Sequence, residues 1–108
     1  MIVSYTEIFK KHIRKLNRRY RSLQQDLQPV LTELETGTLL GDRITGLDDI
    51  VFKVRVKNSD NKKGKSGGYR VIYYLKTDEE IRLLAMYSKS DQANISVSSL
   101  RRILSDDR

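Results

Sequence analysis

"VFKVRVK" at residues 51–57, "YRVIYYL" at 69–75 and "IRLLAMYS" at 81–88 decide the fold of this 108-residue chain. In the first, Phe52, Val54 and Val56 alternate with Lys53, Arg55 and Lys57. A period of two belongs to a strand, here with one apolar and one basic face. The other two segments are rich in β-branched and aromatic residues, and "KTDEE" between them reads as a short hairpin turn. Together they predict a three-stranded antiparallel meander.

Upstream of residue 51 the pattern is helical. "IVSY" (2–5) reads as an opening strand, and Thr6 is a candidate N-cap for a helix over about 6–18. Ile8, Phe9, Ile13 and Leu16 form its apolar stripe, with His12 on the same side and Lys10, Lys11, Arg14, Lys15 and Arg18 opposite. His12 therefore reads as a helix-flank residue, not a ligand or catalyst. Leu23, Leu27, Val30, Leu31 and Leu34 mark a second helix that closes with Gly37 at C′. Pro29 predicts either a kink in it or a fresh start near Gln28 with the proline at N1. The two helices read as an antiparallel hairpin, residues 37–50 as a glycine-marked connector, and 96–104 as a short closing helix. The expected architecture is one α+β domain over 1–108, with the N-terminal strand and helical hairpin packed on one face of a small antiparallel sheet.

Composition narrows the function. Hydrophobic residues at 38% and charged residues at 32% describe a globular chain, not a disordered one. The absence of cysteine excludes a disulfide framework, a thiolate zinc site and a cysteine nucleophile, and the single His12 excludes a multi-histidine metal cluster. No metal and no small-molecule cofactor are expected. No apolar segment resembles a signal peptide or a membrane span, so a reducing cytoplasm is the expected compartment.

The formal charge is +7, and fourteen of the 21 bases fall in two segments. Residues 10–21 hold seven and no acid, while residues 53–70 hold seven against Asp60 alone. Such a surface attracts polyanions, nucleic acid above all. A solvated helix face and a soluble loop are the bland alternative.

Gly64-Lys65-Ser66 invites a nucleotide-binding reading, which fails twice. A phosphate-binding P-loop needs glycine where Ser59 stands, and it needs a helix where this chain has a strand. Residues 58–68 instead read as a long hairpin connection. With Lys57, its Lys62, Lys63 and Lys65 are candidates for contact with RNA phosphates.

Lys53, Arg55 and Lys57 project from one strand and Arg70 begins its neighbour, and they are expected to stand exposed on a self-repelling face. A solvated face tolerates this. The functional alternative is a phosphodiester site, where Arg and Lys stabilise the charge of a pentacovalent transition state. Proton transfers would fall to a lysine, a tyrosine or a carboxylate. Tyr69, Tyr73, Tyr74, Tyr87, Lys89 and Asp91 are available, although each tyrosine also reads as a packing residue.

The run "VFKVRVK…GKSGGYRVIYYL…IRLLAMYSKSD" resembles the RelE/ParE toxin superfamily, and its RelE/HigB-like branch most. The resemblance covers nearly the whole chain. It implies the toxin of a type II toxin–antitoxin pair, an endoribonuclease that cuts messenger RNA at the ribosome and is neutralised by a cognate antitoxin. On this resemblance Lys53, Arg55 and Lys57 carry the family's basic strand pattern, and Arg70 its arginine after Gly-Tyr. Relatives place a further arginine where this chain has Ser90 and a tyrosine where it has Ser96. Lys89, Tyr87 and Asp91 are the substitutes for the general acid, and Lys53 is the candidate base. The alternatives are a ParE-like inhibitor of DNA gyrase and a non-catalytic RNA-binding or ribosome-binding module.

Overall fold

The structure is a computed structural model and describes residues 1–60 and 67–107. Its elements are β1 (Ile2–Tyr5), α1 (Glu7–Asn17), α2 (Leu23–Glu35), β2 (Asp42–Ile44), β3 (Val51–Val56), β4 (Tyr69–Thr77), β5 (Glu80–Ser88) and α3 (Val97–Asp107). The α+β class and the meander β3-β4-β5 are as expected. The sheet is larger than the meander, with five strands in the order β1-β5-β4-β3-β2. It is mixed, because β1 lies parallel to β5 while every other pair is antiparallel.

Thr6 starts α1 as its sequence context predicts. Its Oγ accepts the Phe9 N–H at 3.0 Å, and its hydroxyl donates to the Leu84 carbonyl at 2.9 Å. The cap therefore also fastens the helix to β5. Pro29 neither ends nor restarts α2, which is continuous from Leu23 to Glu35. Proline removes the bond to the carbonyl of Gln25, but both residues are exposed, so that carbonyl faces solvent. Gly37 closes α2 at φ 90°, with its N–H on the Leu34 carbonyl and the Thr38 N–H on that of Glu33. This pair of bonds is a Schellman motif. The Met1 ammonium donates to the Glu35 carbonyl at 3.1 Å, so α2 ends where β1 begins and runs back against α1.

Both sheet faces are covered, which the expectation of helices on one face did not include. Phe9, Leu16, Leu23, Leu27 and Leu34 pack with Val54, Val56, Val71, Tyr73 and Leu83 on one side. On the other, Leu100 and Leu104 of α3 pack with Val51, Ile72, Tyr74, Leu84 and Tyr87. That is why β4 and β5 read as continuous apolar runs instead of alternating.

β1 pairs with β5 only as far as Tyr5 opposite Leu83. Beyond it α1 takes over the β5 edge. The Thr6 N–H reaches the Leu83 carbonyl at 3.0 Å, and the Met86 N–H donates to His12 Nδ1 at 3.1 Å. His12 is thus the flank residue its position predicts, and it satisfies an N–H on the stretch of β5 that β1 leaves unpaired.

Candidate active site

Three side chains from three neighbouring strands stand in one row. Arg55 on β3 is directly opposite Arg70 on β4, and Arg70 is opposite Tyr87 on β5. Lys53 sits two residues back along β3 and so shares the face of Arg55. Beside this row the surface opens into a hollow of about 480 Å³ lined by Arg43, Lys53, Arg55, Arg70 and Lys89, with Asp42 as its single acid. Five cations against one carboxylate make it a site for anions.

β2 forms one wall. Sequence reading took its residues for connector, and Gly41 explains the turn that aims it. Gly41 has φ +87°, and a Cβ there would overlap the carbonyl of Lys53. Only glycine lets the chain pass this close to β3 in that conformation.

Arg70 corrects the expectation of a fully exposed basic face, since it is only 5% exposed. Its guanidinium donates to the Tyr69 carbonyl at 3.1 Å. Burial, and then the neighbouring charge of Arg55, lower its pKa from the ordinary value, with Tyr87 acting in the opposite direction. Arg55 remains exposed and Lys53 is half-buried.

Tyr87 does not line the hollow. Its ring belongs to the buried cluster under α3, and its hydroxyl lies 3.4 Å from Asn94 Oδ1. Burial raises the phenol pKa, with Arg70 pulling it back, so the hydroxyl keeps its proton at neutral pH. Lys53 Nζ lies 3.4 Å from the same Asn94 oxygen. Lys89 lines the hollow while its Nζ donates to the Ala93 carbonyl at 2.8 Å.

The other candidates separate cleanly. Lys57 lies just past the end of β3, exposed and outside the residues that line the hollow. Lys62, Lys63 and Lys65 lie outside the described residues. Tyr73 donates to the Leu40 carbonyl, Tyr74 donates to Asp107 at 2.7 Å, and the Tyr69 ring is fully buried, so these three are packing residues. Both carboxylate oxygens of Asp91 are held by Arg19 at 2.7 Å, which engages that side chain away from the hollow. Ser96 caps α3, its Oγ accepting the Ser99 N–H at 3.1 Å.

Sequence reading missed Asn94, Asp42 and Arg43. Nothing in residue type or spacing marks Asn94; only the return of the loop after β5 brings it to the row. Among the described residues, no group of three or more His, Cys, Asp and Glu is placed to hold a metal ion.

A model of one protein family, described as "RelE toxin of RelE / RelB toxin-antitoxin system", matches residues 6–105. The match runs from the cap of α1 into the last turns of α3 and contains the whole row. No curated protein matches the chain.

Proposed function

The chain belongs to the RelE family, the toxins of RelE/RelB toxin–antitoxin systems, and from that premise we propose that it is an endoribonuclease that cuts messenger RNA on the translating ribosome. Its partner in such a system is an antitoxin protein. The observation that carries the reading is the row Arg55–Arg70–Tyr87 beside a hollow that also holds Lys53 and Lys89.

These side chains support cleavage by the RNA's own 2′-hydroxyl. Its oxygen attacks the adjacent phosphorus, the new P–O2′ bond forms, and the bond to the 5′-oxygen breaks. Lys53, as its neutral amine, takes the 2′-hydroxyl proton. Arg55 and Arg70 hold the non-bridging oxygens as negative charge builds on them. Arg70 is pre-positioned by burial and by its bond to the Tyr69 carbonyl, so little reorganisation accompanies the charge development. The leaving 5′-oxygen takes a proton from Lys89, which lines the hollow, whereas the buried Tyr87 phenol is turned to Asn94. The products are a 2′,3′-cyclic phosphate and a 5′-hydroxyl. The chemistry calls on no metal ion.

Inhibition of gyrase without RNA cleavage, and RNA binding without chemistry, remain the competing functions. Primer extension on translated messenger after induction separates them from cleavage. New 5′ ends that appear with the wild type and vanish with Lys53→Ala support the proposal. Arrested growth with intact messenger and inhibited supercoiling would replace it with the gyrase function.

A further inference from the structure

We propose that Asn94 is a positioning residue of this site, its side-chain oxygen, anchored by the Tyr87 hydroxyl, holding Lys53 Nζ in the placement that cleavage uses. The inference rests on the ribonuclease reading above and adds to it a residue outside the basic row.

Lys53 and Tyr87 come from β3 and β5, which are separated by β4, so no backbone ladder relates them directly. Two strand spacings put their backbones about 10 Å apart. Asn94 Oδ1 bridges that gap, 3.4 Å from each. An ammonium offers only donors, so the Asn94 amide must turn its oxygen to Lys53. A lysine stem is flexible, and Arg55 and Arg70 repel its charged end toward solvent. A fixed acceptor opposes both tendencies.

The loop is built to present that acceptor. The Lys89 N–H bonds the Gly68 carbonyl at 2.9 Å, and the Asp91 and Gln92 N–H groups turn back onto the Ser88 carbonyl at 3.0 and 3.2 Å. Gln92 Nε2 holds the Asn94 carbonyl itself at 3.0 Å. Arg19 grips Asp91 through both carboxylate oxygens and so ties the loop to the turn between α1 and α2.

An amide suits the position better than a carboxylate. Asn94 is neutral and accepts from the amine as well as from the ammonium, so it places Lys53 without clamping the proton on it. A carboxylate in the same place would favour the charged form and impair a base. The other groups lining the hollow with Lys53 are Asp42 and Arg43 from β2, Arg55 from its own strand, Arg70 from β4 and Lys89 after β5. Asn94→Asp leaves all of them in place and changes one oxygen-bearing group.

The test combines kinetics with direct titration. Asn94→Ala is expected to lower the single-turnover rate on ribosome-bound messenger roughly tenfold or more, with little change in binding and in thermal midpoint. Asn94→Asp is expected to move the acidic limb of the pH–rate profile, along which the base loses its proton, up by about one unit. NMR of the lysine side chains should show Lys53 titrating correspondingly later in Asn94→Asp. A role confined to loop structure would lower the amount of folded protein without moving that limb. Wild-type rates in Asn94→Ala, or an unmoved Lys53 titration in Asn94→Asp, overturn the proposal. A wild type that cuts no RNA, with a Lys53 titration that still responds to Asn94→Asp, upholds the contact and overturns the reaction instead.

Discussion

Arg55 and Arg70 face each other directly across the β3–β4 ladder, the first exposed and the second 5% exposed. Like charges directly opposite on a sheet destabilise it. The fold carries this cost at the wall of the hollow, where a bound phosphodiester would neutralise it.

Substitution of the two arginines should therefore change stability in opposite directions. Arg55→Thr removes the exposed partner, puts a good strand former in its place, and should raise the thermal midpoint by a few degrees. Arg70→Ala loses buried packing and the bond to the Tyr69 carbonyl, and should cost about 1–3 kcal/mol. Both should abolish cutting. Calorimetry alongside a cleavage assay checks the pair, and a fall in midpoint for Arg55→Thr would contradict the repulsion.

His12 predicts a pH dependence near neutrality. Its Nδ1 accepts the Met86 N–H, which requires the unprotonated ring, and burial followed by the charge of Lys15 lowers its pKa below 6.5. The unfolded chain binds the proton more readily, so stability is full above about pH 6.5 and declines as pH falls toward the folded-state pKa. His12→Asn retains an acceptor without titrating. Its urea midpoint should stay flatter than the wild type's between pH 7 and 5, and identical profiles would show that His12 does not set this dependence.

Much of this organisation is legible in the residues, and the exceptions have physical reasons. The Thr6 cap, the Gly37 closure and the alternation of β3 are local signals, so their elements fall where periodicity and capping place them. β2 escapes because three residues, "DRI", carry no alternation, and the bond pattern that makes them a strand comes from β3. The parallel pairing of β1 with β5 joins segments some 78 residues apart, and no local pattern reports it. Arg70 looked exposed because a charge on a strand implies a solvent face, yet α3 covers that side of the sheet. The basic row was readable as composition. Asn94, a polar loop residue among several, acquires a role only once β3 and β5 are two strands apart.

Asp107 should control acid stability. Burial alone would raise its carboxyl, but hydrogen bonds from Tyr74 and Arg82 and the charges of Arg82 and Lys76 outweigh that and hold it below the ordinary value. Both its oxygens accept from Arg82 Nε, at 2.7 and 2.8 Å. Because the folded pKa is depressed, this stabilisation is present above about pH 4 and is lost as pH falls through the folded value. Asp107→Asn should cost about 1–3 kcal/mol at pH 7, since Arg82 loses its partner in a half-buried setting. It should also flatten the stability profile below pH 4, and an unchanged acid limb in chemical denaturation would contradict the assignment.

In the proposed reaction the RNA supplies the nucleophile, and the arginines of the row with Lys53 and Lys89 of the hollow supply the rest. A messenger with a single 2′-deoxy substitution at the scissile nucleotide, presented on intact ribosomes, tests this. The substitution removes one hydroxyl and leaves the phosphates that the cations bind, so binding should change little. This substrate should resist cutting, while the all-ribose control yields a 2′,3′-cyclic phosphate end. Cleavage of the deoxy substrate at an undiminished rate would contradict it and assign the attack to water.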